Sequence, residues 1–217
     1  MARRFAVLMC VAGVLWAAPA SAQAAGGGST GIGVRAFGHL EWQSMAAKDT
    51  FEAITGKTRL GGFGAGVEVQ QVWRRLFARV SLSRMSKTGE RVFVFENEVF
   101  PLGIPLELTL TPIEVSAGWR FAPSGARGIV PYVGGGALFM KFKQSSDGDD
   151  PGERVNETYN GFQLFGGIEI PVWRYLSAGA EIGWRKANVP DPDGTLAAFG
   201  EKDLGGLTMR VMVSIGK

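Results

Sequence analysis

Leu207-Thr208-Met209-Arg210-Val211-Met212-Val213-Ser214-Ile215 carries Leu, Met, Val, Val and Ile at odd positions and Thr, Arg, Met and Ser at even ones. Successive side chains of a β-strand point to opposite faces, so this stretch is a strand with one apolar and one largely polar side.

The same alternation recurs along the chain. The first strand is expected at about 32–43, with Ile32, Val34, Ala36, Leu40 and Trp42 opposite Arg35, Phe37, His39, Glu41 and Gln43. The second, 60–71, sets Phe63, Ala65, Val67 and Val69 against Gly64, Gly66, Glu68 and Gln70. The third, 76–85, sets Leu76, Ala78, Val80 and Leu82 against Phe77, Arg79, Ser81 and Ser83. In the fourth, 106–121, the apolar set runs Leu106, Leu108, Leu110 before Pro112 and Ile113, Val115, Ala117, Trp119 after it. A one-residue phase slip at a proline predicts a β-bulge there. The remaining strands fall at 130–142, 161–170, 176–186 and 206–216.

The beginning of the chain sets a compartment. Met1-Ala2-Arg3-Arg4 is basic, Phe5 to Ala18 is uncharged and apolar, and Ala20-Ser21-Ala22 is a small-x-small cleavage site. Residues 1–22 therefore read as a secretory signal peptide and 23–217 as one mature domain. Cys10 is the single cysteine and lies inside the signal, preceded by Met9 where a lipidation box needs a small residue. The mature chain thus has no disulfide and no cysteine metal site. Arg3 and Arg4 are two of the 23 Lys and Arg; the other 21 face 20 Asp and Glu, which gives no support to a nucleic-acid partner.

No later stretch holds 18 consecutive apolar residues, so no helical span is expected, nor any amphipathic helix of useful length. The connections alternate: short at Trp73-Arg74, Pro123 to Gly128 and Val172-Trp173-Arg174, long at 44–59, 86–105, 143–160 and 187–205. Short turns at one end and long loops at the other fit an all-β, eight-stranded antiparallel up-and-down transmembrane barrel with both termini in the periplasm. An internal echo supports repeated hairpins: Gly66-Val67-Glu68-Val69 before Val72-Trp73-Arg74, and Gly167-Ile168-Glu169-Ile170 before Val172-Trp173-Arg174.

Which face meets lipid follows from charge. Arg at the bilayer midplane costs about 2–4 kcal/mol on the lipid side, so the charged face turns inward. The lumen then holds Arg35, Glu41, Glu68, Arg79, Glu114, Arg120, Glu169, Glu181, Arg185 and Arg210, balanced in sign and expected to pair. Interfacial aromatic girdles are expected from Trp42, Phe142, Phe162 and Trp184 at the loop side and Trp119, Phe121 and Tyr132 at the turn side.

Pro131-Tyr132-Val133-Gly134-Gly135-Gly136, the Gly-rich strands bearing Glu and the end strand Gly206 to Ile215 together resemble the small eight-stranded outer-membrane barrels of the OmpA transmembrane and outer membrane protein beta-barrel kind. The resemblance implies the outer membrane of a Gram-negative bacterium, insertion by the barrel-assembly machinery, contact with outer-membrane lipid and lipopolysaccharide, and a monomer. One departure is the end Ile215-Gly216-Lys217, where such barrels usually finish on an aromatic residue.

No cofactor, metal or catalytic residue is expected. Gly31-Ile32-Gly33-Val34-Arg35-Ala36 has no helix after it to hold a phosphate. Asp147-Gly148-Asp149-Asp150 with Glu153 lacks the spacing of a calcium loop. His39 is the single histidine, and no His-x-Ser pair accompanies it. The reading is a non-enzymatic barrel plugged by ion pairs, its loops serving envelope integrity or partner contact. The alternative is a narrow channel for small or apolar solutes, or a lipid-active enzyme using His39. Segment 86–105 is unusually apolar for a loop and fits either a contact patch or a hairpin that continues strands three and four.

Overall fold

The computed structural model describes residues 32–95, 98–121, 128–146, 155–190 and 194–216. The signal-peptide expectation and the acidic run 147–153 lie outside these residues. Eight strands form: β1 Gly33–Met45, β2 Arg59–Trp73, β3 Leu76–Phe95, β4 Glu98–Arg120, β5 Val130–Ser146, β6 Val155–Trp173, β7 Leu176–Ala187 and β8 Gly206–Gly216. Each pairs antiparallel with the next, and β8 returns to β1 to close the barrel. Closure pairs every strand of the wall on both sides, as a sheet in lipid requires.

The alternation sorts side chains as charge dictates. Val34, Leu40 and Trp42 are exposed on β1 while Arg35, Phe37, His39, Glu41 and Gln43 are buried. Strand β8 repeats this, with Leu207, Met209, Val211, Val213 and Ile215 outside and Thr208, Arg210, Met212 and Ser214 inside.

Strand β4 corrects the expected bulge at Pro112. Pairing runs in one register from Leu76↔Trp119 to Glu90↔Pro105 on the β3 side and from Leu106↔Ser146 to Arg120↔Tyr132 on the β5 side. Proline has no N–H to give, and the β3 ladder lapses between Leu82↔Ile113 and Met85↔Leu110, but no residue is inserted. Leu106, Leu108 and Leu110 therefore point inward, at 1%, 2% and 0% exposure, while Ile113 and Val115 face out. Both faces of β4 are apolar at different heights, and that mimics a phase slip.

The true irregularities sit elsewhere. The β2–β3 turn is Arg74-Arg75, one residue later than expected, and the register shifts between Val69 and Trp73. Gln71 takes φ 54° in this bulge and Arg74 φ 56° at the turn. Its counterpart in the sequence echo, the β6–β7 hairpin, also shifts register just before its turn, between Pro171 and Trp173.

Segment 86–105 resolves as a hairpin. The pairs Glu90↔Pro105 to Phe95↔Glu98 carry β3 and β4 past the last β2–β3 pair, Gly62↔Met85, and past the first β4–β5 pair, Leu106↔Ser146. Beyond these points the two strands have, among the described residues, only each other as sheet partners.

Two short helices, unexpected from the sequence, lie in the long connections at the same end: α1 Lys48–Thr55 and α2 Gly194–Ala198. Helix α1 has no side-chain cap of its own at Ala47. Instead Glu201 accepts from the backbone N–H groups of Asp49 at 3.1 Å and Thr50 at 3.0 Å, satisfying two otherwise orphaned donors. Phe51 and Ile54 of α1 and Leu196 of α2 join a buried apolar cluster with Met45, Met85, Leu106, Leu108, Leu110, Leu138, Met140 and Phe142. The loop end of the interior is therefore apolar, and the charged interior lies beneath it.

Candidate functional site: the charged lumen

The inward positions of the strands converge on five arginines and five glutamates, Arg35, Arg79, Arg120, Arg185, Arg210 and Glu41, Glu68, Glu114, Glu169, Glu181. Nearer the turns, Glu68 receives Arg35 and Arg120, each at 2.6 Å, and Arg79 at 3.0 Å. Arg35 also bonds Glu169, which takes Arg120 at 2.7 Å. Higher up, Glu41 accepts from Arg185 at 2.8 Å and Arg210 at 2.5 Å, and Glu114 accepts from Arg210 at 2.5 Å and from Arg185. Glu181 ties the two groups together, taking Arg79 at 2.7 Å and Arg210 at 3.2 Å.

Register creates these contacts. Arg210 lies directly across from Glu41 on β1 and from Glu181 on β7, so one guanidinium serves two adjacent strands. Arg35 stands opposite Glu68, and Glu68 opposite Arg79. Opposite charges at directly facing positions stabilise a sheet, and in a dry interior an unpaired charge is very costly. Equal numbers of the two signs let the side chains neutralise one another.

The same register explains the lumen glycines. Phe37 faces Gly66, Phe77 faces Gly118, Tyr132 faces Gly167 and Phe165 faces Gly134 across adjacent strands. A Cβ on Gly118 would collide with the Phe77 ring, and one on Gly167 would sit 2.6 Å from the Tyr132 ring. The aromatic rings lie over neighbours without side chains and so fit a narrow interior. Phe77, Tyr132 and Phe165 form a compact group around Arg79, whose guanidinium carbon is 5.2, 5.5 and 5.2 Å from their ring centres. Cation–π attraction thus adds to its ion pairs.

Tyr132 and Phe142 are corrected by this geometry. Both point inward, at 2% and 6% exposure, because the even positions of β5 face the lumen, where Gly167 makes room for one and the apolar loop-end cluster receives the other. Trp42, Phe121, Phe162 and Trp184 are exposed on the outside, and Trp119 is half-buried. Phe162 and Trp184 pack edge to face at 5.4 Å.

His39 Nε2 lies 2.9 Å from Ser83 Oγ, and Glu41 is on the same ring nitrogen at 3.8 Å. Nδ1 is buried and has no partner among the described residues, so none of their carboxylates orients the ring from its far side as a hydrolytic triad requires. All three side chains are buried in the lumen.

The sequence matches the family described as outer membrane protein beta-barrel domain over residues 7–213. The chain belongs to that family. Its fold is shared by solved structures of low identity. Pseudomonas aeruginosa outer membrane protein OprG superposes with a TM-score of 0.57 at 9% identity, over 86% of this chain and 96% of that one. A major outer membrane protein of Thermus thermophilus gives 0.52 at 10% identity, over 85% and 99%. Ail, the attachment invasion locus protein of Yersinia pestis, solved with the heparin analogue sucrose octasulfate, gives 0.51 at 10%, over 86% and 98%. No curated protein matches in sequence. This outer-membrane barrel therefore exposes its apolar belt to lipid, and the charged residues lie on the other side of its wall.

Proposed function

We propose that this outer-membrane barrel is a non-enzymatic envelope protein whose lumen is closed by its Glu/Arg ion pairs and whose loop end serves envelope integrity or contact with a partner. The observation that carries the reading is the sharing of each lumen glutamate among two or more arginines. Such a network leaves no charge for a permeant ion to replace, and an eight-stranded wall encloses little more than its own side chains. The projecting β3–β4 hairpin supports the contact role, because Phe93, Phe100, Leu102 and Ile104 are exposed on it. On β3, Phe93 is separated from lipid-facing Leu82 by outward Arg84, Ser86, Thr88 and Glu90, so a water-exposed partner suits this tip better than bilayer hydrocarbon.

The protein is secreted by a signal peptide cleaved after Ala22, inserted by the barrel-assembly machinery and monomeric among lipid and lipopolysaccharide. Outer-membrane fractionation, N-terminal sequencing and a heat-modifiability gel test this together. A heat-modifiable band in the outer membrane beginning at Gln23 is expected; a soluble periplasmic protein would refute it.

A further inference from the structure

The repeated Val-Trp-Arg unit of the sequence closes two hairpins on opposite sides of the wall. Trp73 ends β2 and Arg74 opens its turn; Trp173, Arg174 and Tyr175 do the same between β6 and β7, four strands further round the closed barrel. All five side chains are exposed, Trp173 at 79%. The Arg74 guanidinium carbon stands 5.1 Å from the Trp73 ring centre, and that of Arg174 5.1 Å from the Tyr175 ring centre. Stacking holds a guanidinium by its face and leaves the N–H groups in its plane free to donate. Neither arginine has a carboxylate partner among the described residues. Arg75 is already committed, donating to the carbonyl of Phe121 at 3.1 Å. Charge is segregated along the chain in the same sense. Of the 20 Asp and Glu, five line the lumen, and every other one falls in sequence within 46–58, 86–107, 143–160 or 188–205, on the loop side. The short connections 74–75, 121–129 and 174–175 hold arginine and no acid.

We propose that the two hairpin tips bind the phosphates of anionic phospholipid headgroups in the periplasmic leaflet and so anchor the turn end of the barrel. The inference goes beyond the closed lumen and rests only on the short turns facing the periplasm. Depth selects the partner. On β6, exposed Leu164, Ile168, Ile170 and Val172 carry the apolar belt to the turn, so Arg174 stands two residues past it, about 7 Å at the rise of a strand. The headgroup layer is about 5–8 Å deep on each side of the hydrocarbon, which puts the guanidinium among phosphates. Exposed Trp73 and Trp173 suit the same layer, being apolar in body and polar at one edge. Placement selects it too. A single protein partner would need one continuous patch, whereas the tips lie on opposite sides of the barrel and a leaflet surrounds the wall on every side. Arginine pairs strongly with phosphate, and no acid in these connections repels one.

The test uses the barrel of residues 23–217 folded into phosphatidylcholine vesicles. Replacing Trp42, Trp73, Trp119 and Trp184 by Phe leaves Trp173 as the single reporter. Its fluorescence is then quenched with dibrominated phosphatidylglycerol or with dibrominated phosphatidylcholine. Phosphatidylglycerol should be preferred about fivefold at low salt, the weight of one basic residue at an anionic surface written as a ratio. Arg174→Gln should remove the preference, Arg174→Lys should keep part of it, and about 1 M salt should suppress it. Spin-labelled lipids on the barrel with all its tryptophans give a second reading if the single-Trp variant fails to fold. There the immobilised fraction of phosphatidylglycerol should exceed that of phosphatidylcholine and fall in Arg74→Gln/Arg174→Gln. Equal behaviour of the two lipids in a heat-modifiable barrel would overturn the anchor while leaving the outer-membrane barrel and its closed lumen standing. Binding to purified peptidoglycan that is lost in the same double variant, with no lipid preference, would overturn it in favour of the cell wall.

Discussion

Glu68 and Arg79 face each other across β2 and β3, with Arg79 Nη2 3.0 Å from Glu68 Oε2, and the same guanidinium reaches Glu181 on the far wall at 2.7 Å. A neighbouring-strand pair is thereby extended into a brace across the lumen.

Breaking that brace should be costly. Arg79→Met leaves parts of two buried carboxylates without a partner, and loss of one member of a buried pair typically costs about 3–5 kcal/mol. Glu68→Gln in the Arg79→Met background should recover part of the loss, but only part, because Arg35 and Arg120 also depend on Glu68. Urea unfolding in detergent micelles of the single and double variants measures the coupling. Strictly additive losses would show that the two side chains act independently.

The inward direction of Leu110 has its own test. Residues 23–217 contain no cysteine, so single cysteines introduced there report their surroundings cleanly. With a lipid-soluble maleimide, Ile113→Cys and Val115→Cys should label readily, and Leu110→Cys and Met140→Cys should not. Ready labelling of Leu110→Cys as well as Ile113→Cys would restore the phase change at Pro112.

The glycine–aromatic pairs should resist even a methyl group. Gly118→Ala drives a Cβ into the Phe77 ring and places it 2.5 Å from the carbonyl oxygen of Val133, so either the ring or the strand must shift. A loss of about 1–3 kcal/mol is expected for such overpacking. Phe77→Leu should return some of it in the double variant, and a Gly118→Ala protein as stable as wild type would contradict the packing.

Much of this was legible in the sequence wherever the lumen is charged. Arg35, Glu41, Arg79 and Arg210 mark the inner face of their strands because lipid cannot hold them. Legibility failed where inside and outside are both apolar. Leu106, Leu108, Leu110 and Phe142 look like lipid-facing residues until register places them under α1 and α2. The pairing of rings with glycines has no local signal either, since Tyr132 and Gly167 meet only through the β5–β6 register. Helix α1 escaped detection for a related reason: it is eight residues long, and its N-terminal donors are met by Glu201, far along the chain.

The projecting hairpin should be dispensable for the barrel. Replacing Phe93, Phe100, Leu102 and Ile104 by Ser removes exposed apolar groups and leaves the wall ladders intact, so stability should change by no more than about 0.5 kcal/mol per site. Loss of heat modifiability in this variant would show that the tip supports the fold itself.

The central claim is that shared ion pairs close the lumen, and conductance in planar bilayers tests it most directly. Wild-type protein should give no large steady conductance, while the Arg185→Ala/Arg210→Ala/Glu114→Ala variant, if it still shows heat modifiability, should become leaky. Reproducible steps of porin size from the wild-type barrel would contradict the closed lumen and make its arginines and glutamates the lining of a pore.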